Sequence, residues 1–236
     1  MAIVATLDEE DGVGPTLAEL RQYLGDIDIL VVDGKSCDRT VEIAKDNGAQ
    51  VIFQPRTGKG DALAEAIRHV SMNPDLSEVD LKYVVLTDAD YTYPAEYLPE
   101  MLDILEANPE MGMVCGNRFD SQIHLKRAMK NMFYLGNRAL AFSHNLLNGV
   151  NLRDPLTGLR IVRWSILRDW IPKSKGFDIE VELNHLVERR GFSIKEVKIE
   201  YRPRLGEKKL KLRHGFTILR RILSESVRDV QKEIDP

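Results

Sequence analysis

The chain has 236 residues, of which 43% are hydrophobic and 30% are charged, and its formal net charge is −4. These values fit a globular protein with one α/β domain and an appendage, or at most two domains. The mildly acidic balance argues against nucleic-acid binding through bulk charge, and no apolar run reaches the ~20 residues of a membrane span. The two cysteines have neither metal-binding nor disulfide spacing, so we expect a reducing, cytoplasmic compartment.

Strand and helix patterns alternate through the first half of the chain. Short apolar runs predict strands, and amphipathic segments between them predict helices. The predicted strands are 2–6, 28–33, 50–53, 83–87 and 111–115, and the predicted helices are one that opens at Pro15, then 38–47, 59–70 and 94–107. Alternation of this kind indicates a mostly parallel sheet with helices covering its faces.

The pattern changes after Ser121. The segment 121–148 predicts an amphipathic helix with lysines on one side and Met, Leu and Phe on the other. Such a helix could lie in a membrane interface or could simply cover the sheet. Beyond it we predict a turn at 154–160 leading into a short strand, a helix at 178–190, a strand at 193–201 and an amphipathic helix at 214–230.

The motif Asp88-Ala89-Asp90 closes the fourth predicted strand. In an open α/β sheet, ligands bind outside the carboxyl ends of the strands. Two carboxylates at one small site need a counter-charge, which a hard divalent cation supplies while it bridges to a pyrophosphate. The motif therefore favours a Mg²⁺ or Mn²⁺ site, although Asp-x-Asp also occurs in ordinary loops.

Two further loops are candidates for nucleotide contacts. Asp33 ends the second predicted strand and could accept a hydrogen bond from a base or a ribose, or could belong to a plain turn. Gly58-Lys59-Gly60 precedes a helix, where backbone N–H groups and the lysine suit a phosphate. The alternative for this second loop is a tight turn that carries a surface lysine.

Basic residues are concentrated in two segments of this acidic chain. The segment 121–153 has five lysines and arginines and no acidic residue, and 202–221 has eight with only Glu207 against them. Such segments predict contact with an anion, which could be a phosphate, a nucleotide or a membrane surface.

Four segments together resemble the family 2 glycosyltransferases with the GT-A fold, namely 6–10, 32–40, 58–62 and 88–90. Three later segments, 116–119, 154–160 and 204–210, resemble the polyprenyl-phosphate sugar synthases within that family, of which dolichyl-phosphate mannose synthase is the type. The resemblance implies an α/β, Rossmann-like, mostly parallel sheet with covering helices and a C-terminal acceptor-side extension. It also implies a glycosyltransferase domain at 1–212, with a nucleotide-sugar half (1–116) and an acceptor half (117–212), followed by an amphipathic helix at 213–236.

The resemblance also implies a reaction and a set of site residues. The reaction is an inverting, metal-dependent transfer of a hexose from a nucleotide sugar of the GDP-mannose or UDP-glucose type to a polyprenyl (dolichyl) phosphate. Asp90, Arg118 and Arg204 would be catalytic, and Asp88 and Asp90 would hold Mg²⁺ or Mn²⁺. Nucleotide-sugar binding falls to Thr6, Glu9, Asp33, Lys59, Asp61, Asp88 and Ala89. The sugar and acceptor side would comprise Asp154, Thr157, Gly158, Arg160, Glu180 and Lys209.

A phosphate acceptor is already an anion at neutral pH, so it needs cations to position it rather than a strong general base. We therefore expect the arginines of the second half to hold it, and the protein to be peripheral on the cytoplasmic membrane face, with a membrane-protein partner as a further option and no nucleic acid. Three alternatives stay open. They are transfer to a small phosphorylated acid such as phosphoglycerate, a sugar nucleotidyltransferase, and a non-catalytic, membrane-associated scaffold of the same fold.

Overall fold

The computed structural model describes residues 1–73, 81–119, 132–148, 151–207, 209 and 214–234. The strands are β1 Ala2–Thr6, β2 Ile29–Asp33, β3 Gln50–Phe53, β4 Tyr83–Asp88, β5 Met111–Asn117, β6 Arg160–Arg163 and β7 Ser193–Lys198. They form one sheet in the order β3-β2-β1-β4-β6-β5-β7. β6 runs antiparallel to both of its neighbours, and the other pairs are parallel. The α/β, mostly parallel architecture predicted from the sequence is confirmed.

Helices connect and cover these strands. They are α1 Glu10–Leu24, α2 Thr40–Asp46, α3 Lys59–Met72, α4 Leu98–Ala107, α5 Met132–Asn148, α6 Trp164–Leu167, α7 Ile179–Arg189 and α8 His214–Ile234, with a 3₁₀ turn at Ala95–Tyr97 before α4. Within the described ranges, no helix has the length and apolar character that crossing a membrane requires.

The predicted start of the first helix was wrong. α1 begins at Glu10, and Pro15 lies inside the helix rather than at its start. Pro15 cannot donate a backbone hydrogen bond within the helix. Glu10 and Asp11 in the first turn partly offset this loss, because their negative charges interact favourably with the positive end of the helix dipole. For the predicted helix at 121–148, the described part is α5, and Lys126, Arg127 and Lys130 lie outside the described residues.

The sheet has an apolar layer on each face, as expected for parallel strands buried on both sides. Val4 and Val31 pack with α1 on one face, and Ile3 and Leu30 pack with α3 on the other. A smaller cluster, in which Leu140 of α5 packs against Val181, Ile218 and Ile222, joins α5, α7 and α8.

This topology brings several strand ends to one edge of the sheet. Thr6 pairs with Asp33, and Ala5 pairs with Asp88, so the carboxyl ends of β1, β2 and β4 coincide. Because β6 is antiparallel to β4, the loop before Arg160 reaches the same edge. The two predicted halves of the domain therefore share one sheet, and the boundary between them stays a prediction.

Candidate active site

Asp88 and Asp90 each bind a cationic side chain from a distant part of the chain. Lys59 Nζ lies 2.6 Å from Asp88 Oδ1, and Arg204 Nη1 lies 2.5 Å from Asp90 Oδ2. Thr92 donates to Asp90 Oδ1 from its backbone N–H and its hydroxyl, at 3.2 and 2.6 Å. Burial, with the charge of Asp88 beside it, raises the pKa of Asp90. The two carboxylates thus already have internal counter-charges.

Glu9 completes the acidic side of this cluster. Arg204 binds Glu9 Oε1 through Nη2 while it binds Asp90 through Nη1. Burial raises the pKa of Glu9 to about 7, against the opposing pull of Arg204 and a smaller one from Lys209. Among the described residues, neither Glu9 Oε2 nor Arg204 Nε has a hydrogen-bond partner, although both atoms are buried. The cluster therefore has unused polar capacity in its interior.

Lys59 is held between two carboxylates and is not a surface lysine. Its Nζ lies 2.8 Å from Glu180 Oε1 as well as near Asp88. Burial on its own would lower the pKa of Lys59, but Asp88 and Glu180 together raise it above its usual value. The buried Glu180 Oε2 has no partner within the described ranges. The alternative of a turn with a solvated lysine is therefore wrong.

The start of α3 differs from the phosphate-binding turn that the sequence suggested. The carbonyl oxygen of Lys175 accepts hydrogen bonds from the N–H groups of Gly60 (3.0 Å) and Asp61 (3.3 Å). A β-carbon at Gly58 or Gly60 would clash with the backbone at 174–175. These glycines thus allow the loop before α7 to approach, and the two N–H groups are not available to a ligand.

Asp33 is fully buried and serves its own turn. Its Oδ2 accepts from the N–H groups of Lys35 and Ser36, both at 2.8 Å, and its Oδ1 accepts from the Thr6 hydroxyl at 3.1 Å. The predicted contact of Asp33 with a nucleoside has no exposed carboxylate oxygen to support it here. The plain-turn alternative describes this residue better, because the turn consumes its hydrogen-bonding capacity.

Arg118 forms a bidentate pair with Asp154. Arg118 Nε and Nη2 lie 2.6 and 2.8 Å from the two carboxylate oxygens, and Asp154 is 1% exposed. Arg118 also donates to the hydroxyl of Tyr93 (3.3 Å) and the carbonyl of Leu156 (3.2 Å). The arginine expected to hold the acceptor phosphate is thus engaged by the chain itself.

The loop before β6 lies directly against the Asp88 carboxylate. Gly158 N–H donates to Tyr93 Oη at 2.7 Å, and Thr157 is fully buried. Arg160 is 1% exposed and donates to the carbonyls of Thr157 and Pro155 and to Asn184. Its guanidinium thus holds the loop, and its expected place on the acceptor side stays a prediction.

Three contributors were not predicted as part of the site. The Tyr93 hydroxyl accepts hydrogen bonds from Gly158 and Arg118. Glu196 accepts from the backbone N–H groups of Arg153 and Asp154, at 2.8 and 2.6 Å. A β-carbon at Gly12 would clash with the backbone of the Asp-Ala-Asp turn, so α1 can approach that turn only with glycine there. Tyr93 lies in the motif stretch itself, but nothing local indicates its partners.

The carboxylates of Asp88 and Asp90 fit a hard divalent cation, which prefers oxygen ligands. Asp88 keeps 30% of its side chain exposed. Across the part of the chain that the structure describes, no group of three or more His, Cys, Asp or Glu side chains could hold a metal. A cation at Asp88 and Asp90 would therefore need further oxygen ligands, which a pyrophosphate can provide.

The family model described as Glycosyl transferase family 2 matches residues 1–171. The chain belongs to this family. It is 36% identical to a dolichyl-phosphate hexose transferase of Haloferax volcanii over 88% of this chain and 85% of the relative. It is 29% identical to an undecaprenyl-phosphate mannosyltransferase of Micrococcus luteus over 89% of this chain and 86% of the relative.

A solved structure shares the fold of this family 2 member. The Mycobacterium tuberculosis glucosyl-3-phosphoglycerate synthase, in complex with Mn²⁺, UDP-glucose and phosphoglyceric acid, aligns with a TM-score of 0.72 at 19% identity, covering 95% of this chain and 78% of that one. The family match and these relatives confirm the predicted resemblance and show that the chain is a glycosyltransferase. The nucleotidyltransferase and scaffold alternatives are therefore set aside.

Proposed function

We propose that this glycosyltransferase moves a hexose from a nucleotide sugar to a polyprenyl phosphate, with Mg²⁺ or Mn²⁺ at Asp88 and Asp90. The relatives with lipid-phosphate names support this acceptor. The observation that carries the proposal is an apolar surface on α5 and α8, because a polyprenyl phosphate resides in a bilayer that the enzyme must reach.

This α5–α8 surface consists of Phe142 and Leu146 on α5 with Phe216, Leu219 and Leu223 on α8. Phe142 is 67% exposed, Leu146 69% and Phe216 79%. The two helices pack against each other, and the i, i+4 and i, i+3, i+7 spacings give each helix one apolar stripe. Exposed Arg138 and Arg220 lie near these stripes in sequence and could meet anionic headgroups.

The α5–α8 surface is connected to the candidate active site through the loop at 151–158. Asn145 of α5 donates to the carbonyl of Leu152 (2.7 Å) and accepts from its N–H (3.2 Å). Arg138 donates to the carbonyl of Arg153. The same loop continues to Gly158 beside Asp88. The loop thus links α5, where the lipid would bind, to the edge of the sheet that carries Asp88.

The charges of the site suit an anionic acceptor. A bound divalent cation would stabilise the leaving nucleoside diphosphate. Arg204 and Lys209 lie at the acidic cluster and supply positive charge that can offset the repulsion between the acceptor phosphate and the donor. The phosphate oxygen is itself the nucleophile, so the chain needs to position it rather than deprotonate it.

An acceptor comparison tests the proposal. UDP- and GDP-linked hexoses are screened with Mg²⁺ and Mn²⁺ for nucleoside diphosphate release, with polyprenyl phosphate in one arm and 3-phosphoglycerate in the other. We expect turnover with the lipid phosphate and little with phosphoglycerate. The reverse preference would replace the lipid acceptor with a small phosphorylated acid.

A flotation experiment tests the location that this function requires. We expect the protein to float with acidic liposomes at low salt and less at high salt, because screening weakens contacts with an anionic surface. Replacing Phe142 and Phe216 with Ser should reduce flotation, whereas the same change at Phe53, an exposed phenylalanine at the end of β3, should not. A protein that stays at the bottom of the gradient at low salt would require a membrane-protein partner or a non-lipid acceptor.

A further inference from the structure

Two cationic side chains already bind the carboxylates whose charge a metal ion would neutralise. Lys59 binds Asp88 and Arg204 binds Asp90, each at 2.6 Å or less. The two cations are held differently. Lys59 is fixed by a second carboxylate, Glu180, on the regular helix α7. Arg204 lies on an irregular segment after β7 and is 24% exposed on its side chain.

The contacts of Arg204 would allow its guanidinium to exchange one hydrogen-bond partner for another. Its Nε is buried without a hydrogen-bond partner among the described residues, so the guanidinium uses less than its full donor set. Its other carboxylate partner, Glu9, retains an unpartnered buried oxygen that could accept a further bond. The segment itself stays attached independently, because Leu205 N–H donates to the carbonyl of Asp90 (3.1 Å) and Arg202 N–H to that of Thr92 (3.0 Å).

We propose that Arg204 is a counter-ion that competes with the divalent cation for Asp90, and that metal loading releases its Nη1 for the acceptor phosphate. A carboxylate oxygen that accepts a charged donor at 2.5 Å cannot ligate a metal along the same direction. A cation bound in that direction would displace the guanidinium, which would keep its pair with Glu9 and gain one unpaired N–H. This rests on the proposed metal site and deepens it, because it ties the acceptor subsite to metal occupancy.

This competition for Asp90 would make the metal bind before the acceptor phosphate. Before metal binds, the positive charge of Arg204 is neutralised by Asp90 and Glu9, and a phosphate gains little from it. With a metal bound, one of these interactions would be lost, and the freed guanidinium N–H could donate to a phosphate oxygen instead. The acceptor site thus forms only when the metal is present, which disfavours non-productive lipid phosphate binding to the metal-free enzyme.

Mn²⁺ binding without any substrate tests the competition directly. We expect Arg204→Gln to bind Mn²⁺ at least several-fold more tightly than the wild-type protein, measured by the loss of the free Mn²⁺ signal in electron paramagnetic resonance. Arg202→Gln is the matched control, because Arg202 lies two residues away and pairs with Glu19 at 2.7 and 2.8 Å. Equal or weaker Mn²⁺ binding in Arg204→Gln, including no binding by either protein, would overturn the proposal.

Chemical modification of the wild-type protein provides a second measurement that does not depend on a variant's folding. Phenylglyoxal reacts with accessible arginine, and peptide mass spectrometry separates Arg204 from Arg202. We expect Mn²⁺ to increase the modification rate of Arg204 and to leave that of Arg202 unchanged. An unchanged or lower Arg204 rate at saturating Mn²⁺ would mean that the metal does not release the guanidinium.

These outcomes are separable from the fate of the proposed acceptor. If Arg204→Gln binds Mn²⁺ more tightly but polyprenyl phosphate is not a substrate, the competition stands and the acceptor assignment fails. If polyprenyl phosphate is the acceptor but Arg204→Gln leaves Mn²⁺ binding unchanged, the function stands and the counter-ion role fails.

Discussion

Gly158 lies so close to Asp88 that a β-carbon at position 158 would be 2.5 Å from the Asp88 carboxylate oxygen Oδ2 and 3.0 Å from the ring of Tyr93. The glycine is therefore required by proximity, since its backbone does not adopt a positive φ. The loop before the antiparallel strand β6 and the end of the parallel strand β4 meet here. The position of the carboxylate proposed to bind metal thus depends on a residue that has no side chain.

We expect Gly158→Ala to displace the Asp88 carboxylate and to reduce turnover by about 100-fold, since a shift of about 1 Å at a reacting site has this effect. Overpacking should also lower the free energy of unfolding by about 1–3 kcal/mol. Steady-state kinetics and urea denaturation measure the two effects.

Gly136→Ala is the matched control for this substitution. Gly136 is an exposed residue of α5, and a β-carbon there would have no atom within 4 Å. Alanine in a helix is favoured over glycine by about 1 kcal/mol, so this control should be neutral or slightly stabilising. Wild-type turnover in Gly158→Ala would show that the Asp88 position is not critical.

Asp90→Asn should remove metal-dependent turnover while the protein stays folded. The amide oxygen can still accept from Thr92, but the negative charge is lost. Losing leaving-group stabilisation of several kcal/mol corresponds to a rate decrease of at least ~100-fold. Nucleoside diphosphate release at saturating Mn²⁺ measures it, with Asp103→Asn on the exposed side of α4 as control. A rate near that of the wild type would place the metal elsewhere.

The sequence predicted the residue types of the site better than their partners. Alternating patterns gave the sheet, and the resemblance placed Glu9, Asp88 and Asp90 correctly at one edge. The pairing of Arg204 with Glu9 spans 195 positions, and local sequence carries no signal for such a contact. Burial also limits prediction from sequence. Asp33 and Arg160 lie in motifs typical of ligand-binding residues, but both side chains are buried and bind other parts of the chain.

Arg118→Met should destabilise the protein, because it leaves the buried Asp154 carboxylate without its bidentate partner. Removing one member of a buried ion pair typically costs about 3–5 kcal/mol. Urea denaturation measures the loss, and the double variant with Asp154→Asn should recover part of it because the unpaired charge is gone. The Michaelis constant for the acceptor phosphate is measured alongside, since the sequence predicts that Arg118 also holds this phosphate.

The matched control removes a surface ion pair of the same type. Arg39 binds Glu42 at 3.0 Å, but both side chains are more than half exposed. Arg39→Met should therefore leave the free energy of unfolding unchanged within error. If Arg118→Met were equally silent in stability and impaired acceptor use alone, the pair with Asp154 would be a resting contact of a ligand-binding arginine.

His144 should make the protein less stable in mild acid. This histidine of α5 is fully buried beside His185, Asn184 and Arg160. Burial, and then the charge that His185 can carry, lower the pKa of His144 from 6.5 to about 4. Between these values the unfolded chain binds a proton that the folded protein does not, so the free energy of unfolding falls as the pH is lowered from about 7 to about 4.

The full effect of this one group is about 3–4 kcal/mol, since each of the roughly 2.5 units of pKa difference corresponds to about 1.4 kcal/mol. Urea denaturation at a series of pH values measures the slope. His144→Gln keeps a polar side chain of similar length but cannot titrate in this range, so its unfolding free energy should depend less on pH, whatever its absolute stability at pH 7. A slope equal to that of the wild-type protein would show that other groups, such as the carboxylates of the acidic cluster, control the acid response.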